Sequence, residues 1–261
     1  MRFSTYITFM DSDSLFFELF HNLPRQGPGD NESTAKAFSF LKELPPRITL
    51  LDIGCGSGMQ TMQLAKLVNG HIIAIDFHEP FLHQLRTEIE QKGFADTITV
   101  LNKSMFEMDF NEESFDVIWS EGAVYLYGFR NALIDWNRLL KPGGYLVCSH
   151  LSWLDKNPPG ELKTYWEAEY PEISDVDTIL KTIGNEGYTP AGHFVLPEKS
   201  WWYNYYNPLQ KRVDLLSQKY RHATLFKNLI DATKLEIYMF KTYSKYYGYV
   251  FYIMKKPSML G

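Results

Sequence analysis

From Thr49 to Leu151 short apolar runs alternate with longer stretches of helical spacing, and this alternation limits the possible folds more than any other feature. TLLDIGC, HIIAIDF, TITVLNKS, FDVIWSEG and GYLVCSHL have the length and the β-branched or aromatic content of strands. The segments between them carry helix signals. In EPFLHQLRTEIEQKG, Pro80 stands where a first helical turn tolerates it, Phe81, Leu85 and Ile89 share one face, and Gly93 ends the pattern. FRNALIDWNRLL reads the same way before the fifth run, and KPGG supplies the turn that ends it. Consecutive strand-helix units predict an α/β fold with a doubly wound, mostly parallel sheet.

Two further strand candidates, HFVLPE and YGYVFYIMKK, bring the expected sheet to seven strands. Residues 158–188 read as two helices. Between the late strands, Lys199 to Lys245 is longer than a hairpin needs and has Leu209, Val213, Leu216 and Tyr220 at helical spacing, which predicts a helical insertion. The first 48 residues contain two expected helices, around Leu15 to Leu23 and Thr34 to Leu44, joined by PRQGPGDNES. That joint is hinge-like and stands where it can fold over a ligand. The expected organisation is an N-terminal helical cap over 1–48, a ligand-binding domain over 49–198 and 246–257, and the insertion 199–245 as a substrate lobe.

With 261 residues and 45% hydrophobic content the chain can bury a sizeable core. A net charge of -5 gives no footprint for a nucleic-acid backbone or an anionic membrane. Asp11 and Asp13 interrupt the apolar N-terminus, and no stretch approaches the length of a membrane span. Cys55 and Cys148 form no disulfide framework and lie in no zinc-ligand spacing, so no metal is expected and a reducing cytoplasm fits.

The glycine cluster after the first strand points to a ligand. The dinucleotide fingerprint G-x-G-x-x-G fails at its third glycine, where Met59 stands, and no Gly-Lys-Ser/Thr follows to make a phosphate loop. What stands is G-x-G-x-G, Gly54, Gly56 and Gly58, behind Asp52. A carboxylate there repels pyrophosphate and suits a ligand with an ammonium or sulfonium group. Asp76 ends the second strand, where an acidic side chain can accept from both hydroxyls of a ribose. With LDIGCGSG, AIDF, FDVIWSEGAVY and LKPGGYLV in order, the chain resembles the class I S-adenosylmethionine-dependent methyltransferases, strongly over Pro46 to His150.

The resemblance implies a Rossmann-like sheet and S-adenosylmethionine as cofactor. It implies that Gly54, Cys55, Gly56 and Gly58 pass beneath the amino-acid portion and ribose, with Asp52 in support. Asp76 would hold the ribose, Phe77 would lie against the adenine, and Ser104 and Met105 would occupy the adenine-amine and ring positions. Many relatives carry an acidic residue where Ser104 stands. Glu121 occupies the position that faces the methionine moiety. The implied reaction is in-line methyl transfer to a small-molecule acceptor, which demands alignment and exclusion of water more than acid-base help.

If a base is used, Glu121 is the first candidate, with Tyr125 and His150 behind it, on location. A lone His is more often structural. Tyr125, Trp153, Trp201 and Tyr203 are candidates for the acceptor site, although the run WWYNYYNPL serves equally as core. The insertion is basic, and a basic lid suits a carboxylated or phosphorylated acceptor. Two other functions remain open from the residues: a non-catalytic S-adenosylmethionine sensor and, disfavoured by Asp52 and Met59, a nicotinamide-dependent oxidoreductase.

Overall fold

A computed structural model describes residues 9–220 and 224–258. The five expected early strands form β1 (Ile48–Ile53), β2 (Gly70–Asp76), β3 (Ile98–Asn102), β4 (Phe115–Ser120) and β5 (Leu140–Trp153). After them come β6 (Ser174–Asp175), β7 (Thr189–Val195) and β8 (Tyr247–Lys255). The sheet order is β3-β2-β1-β4-β5-β8-β7, with β6 paired to the end of β5. Strands β1 to β5 pair in parallel, whereas β8 runs antiparallel between β5 and β7.

The strands are apolar because both faces of the sheet are covered. In β1, Ile48 and Leu50 face one layer while Leu51 and Ile53 face the other, as the two-residue period requires. The first layer contains α1 (Phe9–Phe20), α2 (Asn31–Phe38), α3 (Met59–Leu64), α4 (Glu79–Lys92) and α7 (Gly160–Glu169). The second contains α5 (Val124–Tyr127), α6 (Phe129–Asp135) and α8 (Val176–Asn185). Helix α4 buries Phe81, Leu82, Leu85 and Ile89 and stops at Gly93, whose φ of 73° few other residues adopt readily.

Between β7 and β8 the chain is helical, as expected: α9 (Glu198–Trp201), a π-helical stretch over Trp202–Tyr206, α10 (Asn207–Lys219) and α11 (Thr224–Tyr243). Leu209, Val213 and Leu216 are the buried stripe of α10.

Three boundaries differ from the sequence expectation. The two-residue β6 is an eighth strand too short to show a period. Strand β5 extends beyond GYLVCSHL at both ends and absorbs KPGG, with a register shift against β4 between Phe115 and Val117 and a φ of 79° at Gly143. Helix α1 ends at Phe20, just before Asn22 turns to φ 59°, and α2 starts at Asn31 because Asp30 caps it, accepting from Ser33 N at 2.6 Å. The chain leaves β1 toward β2 and β3, then crosses back to β4 on the other side of β1. The carboxyl ends of β1 and β4 therefore frame the crevice where ligands bind in open α/β sheets.

Candidate active site

The turn after β1 runs through three left-handed glycines, Gly54 (φ 71°), Gly56 (φ 53°) and Gly58 (φ 87°). The amides of Gly54 and Cys55 donate to Ile75 O at 2.9 and 3.0 Å, and Gly56 N donates to Asp76 Oδ2 at 2.9 Å, so β2 fixes the loop. Asp76 Oδ1 accepts from His78 N at 2.9 Å. A Cβ on Gly54 would stand 2.5 Å from Ala123 Cβ, and one on Gly56 would stand 2.4 Å from Gln26 Oε1. A Cβ on Gly58 would meet Leu85 Cδ1 at 2.2 Å. Gly58 therefore lets α3 pack closely on α4, whereas Gly54 and Gly56 line the cavity beside the loop.

That cavity, about 200 Å³, brings together Gly54, Cys55, Gly56, Asp76, Phe77 and Met105, with Glu121 at one end. Phe77 is 57% exposed, with a face open to a flat ligand. Burial pushes the Cys55 thiol well above its ordinary value, so it stays protonated. Burial also raises Asp76, against the opposing donation from His78 N and Gly56 N. Ser104 is not a wall: its Oγ accepts from Phe106 N at 3.2 Å instead.

Two residues that the sequence did not mark complete this site. Arg25, 4% exposed, donates from Nη2 to Glu121 Oε2 at 2.6 Å. Glu121 Oε1 accepts from Trp119 Nε1 at 2.8 Å and from Thr34 Oγ1 at 2.7 Å. Gln26 Oε1 accepts from Ser57 N at 2.9 Å. The hinge-like segment thus lies against the glycine loop. Asp52 is fully buried below, with Oδ2 accepting from Thr61 Oγ1 at 2.6 Å. Burial, reinforced by the Glu121 charge, pushes its carboxyl up to about 7 despite the Thr61 bond. Arg25 Nη1 and Asp52 Oδ1 are both buried with no hydrogen-bond partner among the described residues.

A second cavity of about 70 Å³ adjoins the first, and Gln26, Gly27, Gly122 and Tyr125 belong to both. Its far walls include Trp201, Tyr205, Tyr249 and Glu236. Trp201 is 3% exposed and stacks on Phe240 with centroids 4.2 Å apart. Tyr203, two residues on, is 79% exposed and outside this cavity. Trp153 is half-buried at the end of β5, opposite Tyr247, and lines neither cavity.

Nor does His150, which is 1% exposed, stacked on Phe129 and 3.2 Å from Tyr170 Oη through Nδ1. Burial drops it to about 3, so the ring is neutral. Of the three candidate bases, Glu121 is held by three donors, His150 is packed behind the wall, and Tyr125 stands where the cavities meet. Burial, helped by the Glu236 charge, pushes the Tyr125 hydroxyl up to about 12.

Residues 51–148 match the family model described as a methyltransferase domain. A demethylmenaquinone methyltransferase of Lactiplantibacillus plantarum is 31% identical over 132 residues, 48% of this chain and 52% of that protein. A sterol 24-C-methyltransferase of Pneumocystis carinii is 26% identical over 176 residues, 62% of this chain and 46% of that protein. The chain spans about half the length of the curated relatives it matches. A methyltransferase from Geobacter sulfurreducens, solved with S-adenosyl-L-homocysteine, superposes with a TM-score of 0.77 at 20% identity, covering 92% of this chain and 97% of that one. Residues 51–148 thus carry a methyltransferase domain, and the whole chain has the fold of S-adenosylmethionine-dependent methyltransferases.

Proposed function

We propose that this protein is an enzyme that transfers a methyl group from S-adenosylmethionine in the larger cavity to a small-molecule acceptor in the adjoining one. The observation that carries this reading is the shared wall: Gly122 and Tyr125, just beyond β4, belong to both cavities. A cofactor on the glycine loop and an acceptor among the aromatic rings would meet there.

The residues fit the cofactor. A zwitterionic amino acid needs a cation for its carboxylate and an acceptor for its ammonium; Arg25 Nη1, on the larger cavity, and Asp52 Oδ1, buried beneath the glycine loop, are two of the six buried side-chain atoms without a hydrogen-bond partner among the described residues. Asp76 is available to the ribose, Phe77 and Met105 to the adenine. When bound, S-adenosylmethionine supplies a methyl group on a sulfonium, already activated for displacement. The protein's part is to hold two molecules in line and exclude water, with Arg25 and Gln26 closing the site from the N-terminal segment. Tyr125, on the wall shared by the two cavities, can orient the acceptor by a hydrogen bond, and it stays protonated at neutral pH.

Residues 1–48 then act as a cap and 199–245 as the acceptor lobe. The reaction is assigned to the cytoplasm, a reading supported by Cys55 and Cys148, both free thiols. No described helix is long and apolar enough to cross a membrane. The test is incubation with methyl-labelled S-adenosylmethionine and fractionated metabolite extract. Label should pass to small molecules as S-adenosylhomocysteine accumulates. S-adenosylhomocysteine that binds without any fraction supporting turnover would instead make the protein a sensor.

A further inference from the structure

The second cavity has an unusual lining. Eight aromatic side chains surround it, and among its described lining residues Glu236 is the one charged side chain. Glu236 belongs to α11, is 6% exposed, and accepts from Tyr206 Oη at 3.0 Å. Among the described residues, no lysine or arginine of the basic insertion lines this cavity; Lys211 and Arg212, for example, lie along a separate surface groove with Tyr203. Arg25 lines the neighbouring cavity, and its charge is answered by Glu121.

These facts select among acceptor chemistries. An anionic acceptor would bring a second negative charge beside a buried carboxylate with no cation among the described lining residues to offset either, and a neutral one would leave Glu236 without a counter-charge from that lining. A cation meets both demands. Aromatic faces carry negative quadrupole density and attract an ammonium group, and the attraction grows as water is excluded. Trp201 and Tyr249, with ring centroids 5.0 Å apart, form one wall, and Tyr125 and Tyr170, 6.2 Å apart and edge to face, form another.

We propose that the acceptor is a small organic amine, bound as its ammonium among these rings with Glu236 as its counter-ion; loss of one ammonium proton to the Glu236 carboxylate frees the nitrogen lone pair, which forms the new N–C bond as the methyl–sulfonium bond breaks and S-adenosylhomocysteine leaves. The proposal rests on the methyltransferase reading and deepens it. It also revises the expectation, drawn from the net charge of the insertion, of a carboxylated or phosphorylated acceptor. Burial pushes the Glu236 carboxyl up to about 7, against the opposing hydrogen bond from Tyr206.

The test uses isosteric pairs that differ in charge: choline against 3,3-dimethylbutan-1-ol, benzylammonium against benzyl alcohol, and butylammonium against butanol. Each is titrated calorimetrically into the full chain, with and without saturating S-adenosylhomocysteine. In at least one pair the cation should bind ten times more tightly than its alcohol, and Glu236→Gln should reduce that ratio below threefold while S-adenosylhomocysteine affinity stays within threefold. Alcohols that bind as well as or better than their cations in every pair, or no binding by any cation, would overturn the proposal, whether or not the variant folds. S-adenosylhomocysteine binding in the same experiment keeps the two readings apart: failure of the cations beside normal binding of S-adenosylhomocysteine sinks the amine assignment alone.

Discussion

Arg25 and Glu121, 96 residues apart in sequence, form an ion pair of 2.6 Å with both side chains buried. It ties the segment after α1 to the end of β4, across the mouth of the cofactor cavity. Such a pair contributes less by its attraction than it costs when one partner is removed. Arg25→Met should therefore destabilise the protein by about 3–5 kcal/mol, because Glu121 is left charged and buried. In the double variant with Glu121→Gln, Trp119 and Thr34 can still donate to the amide oxygen, and at least half of that loss should return in urea unfolding. Cofactor affinity should not return, since the guanidinium is what would meet the cofactor's carboxylate.

The glycines separate by what their missing side chains would strike. Gly58→Ala meets Leu85 at a φ of 87° and should lower the melting temperature by several degrees, with cofactor affinity of the folded fraction little changed. Gly56→Val faces the cavity and Gln26, and should abolish measurable S-adenosylhomocysteine binding. Thermal melts paired with calorimetry distinguish the two. If Gly56→Val folds and binds normally, the cradle is misassigned.

Asp52 makes stability depend on pH in a definite direction. Its folded carboxyl titrates at about 7 against an ordinary 3.8, so between those values the unfolded chain has lost a proton that the folded chain keeps. Stability should fall as pH rises from about 4 to about 7, by up to about 1.4 kcal/mol per pH unit from this group, and level off above. Glu236, raised to about 7 by burial, adds the same sign. Asp52→Asn should remove its own share, so the variant gains on the wild type as pH rises from 5 to 8. Parallel curves for the two proteins would mean that Asp52 is ionised throughout.

Much of the fold was legible because strand-helix alternation is a local signal. Short continuous apolar runs marked β1 to β4, and Pro80 and Gly93 bounded α4. Strand β6 was invisible because two residues show no period, and β5 was cut short because KPGG signals a turn that here lies inside a bulged strand. The wall of the larger cavity was legible where it is local: Gly54, Gly56, Asp76, Phe77 and Met105 sit at strand ends or within three residues of them. Ser104 and Gly58 look the same in sequence yet face elsewhere, because loop side-chain direction depends on neighbours such as Leu85.

Arg25 and Gln26 were missed because their partners lie 96 and 31 residues away. Glu236 did carry a signal. In TLFKNLIDATKLEIYMFKTY it shares the inward stripe with Phe226, Ile230, Thr233 and Phe240, an acidic residue where helical spacing calls for an apolar one.

Neighbours in the aromatic run should behave differently. Trp201→Ala removes a ring stacked on Phe240 and lining the second cavity, and should cost about 3–5 kcal/mol of stability along with turnover. Tyr203→Ala, at a 79% exposed position, should change stability by less than about 0.5 kcal/mol and leave turnover intact. Chemical denaturation and a rate assay on the folded fraction check both.

The cavity beside the glycine loop is expected to hold S-adenosylmethionine through its amino acid at one end and its ribose at the other. Calorimetric titration of S-adenosylhomocysteine and of 5′-methylthioadenosine, which lacks the amino acid, into the wild type and Asp76→Ala tests it most directly. S-adenosylhomocysteine should bind one per chain and at least tenfold more tightly than the truncated nucleoside. Asp76→Ala should weaken both by roughly 1.5–3 kcal/mol through the lost charged hydrogen bonds. Equal affinity for the two ligands, or unchanged affinity in a folded Asp76→Ala protein, would contradict it.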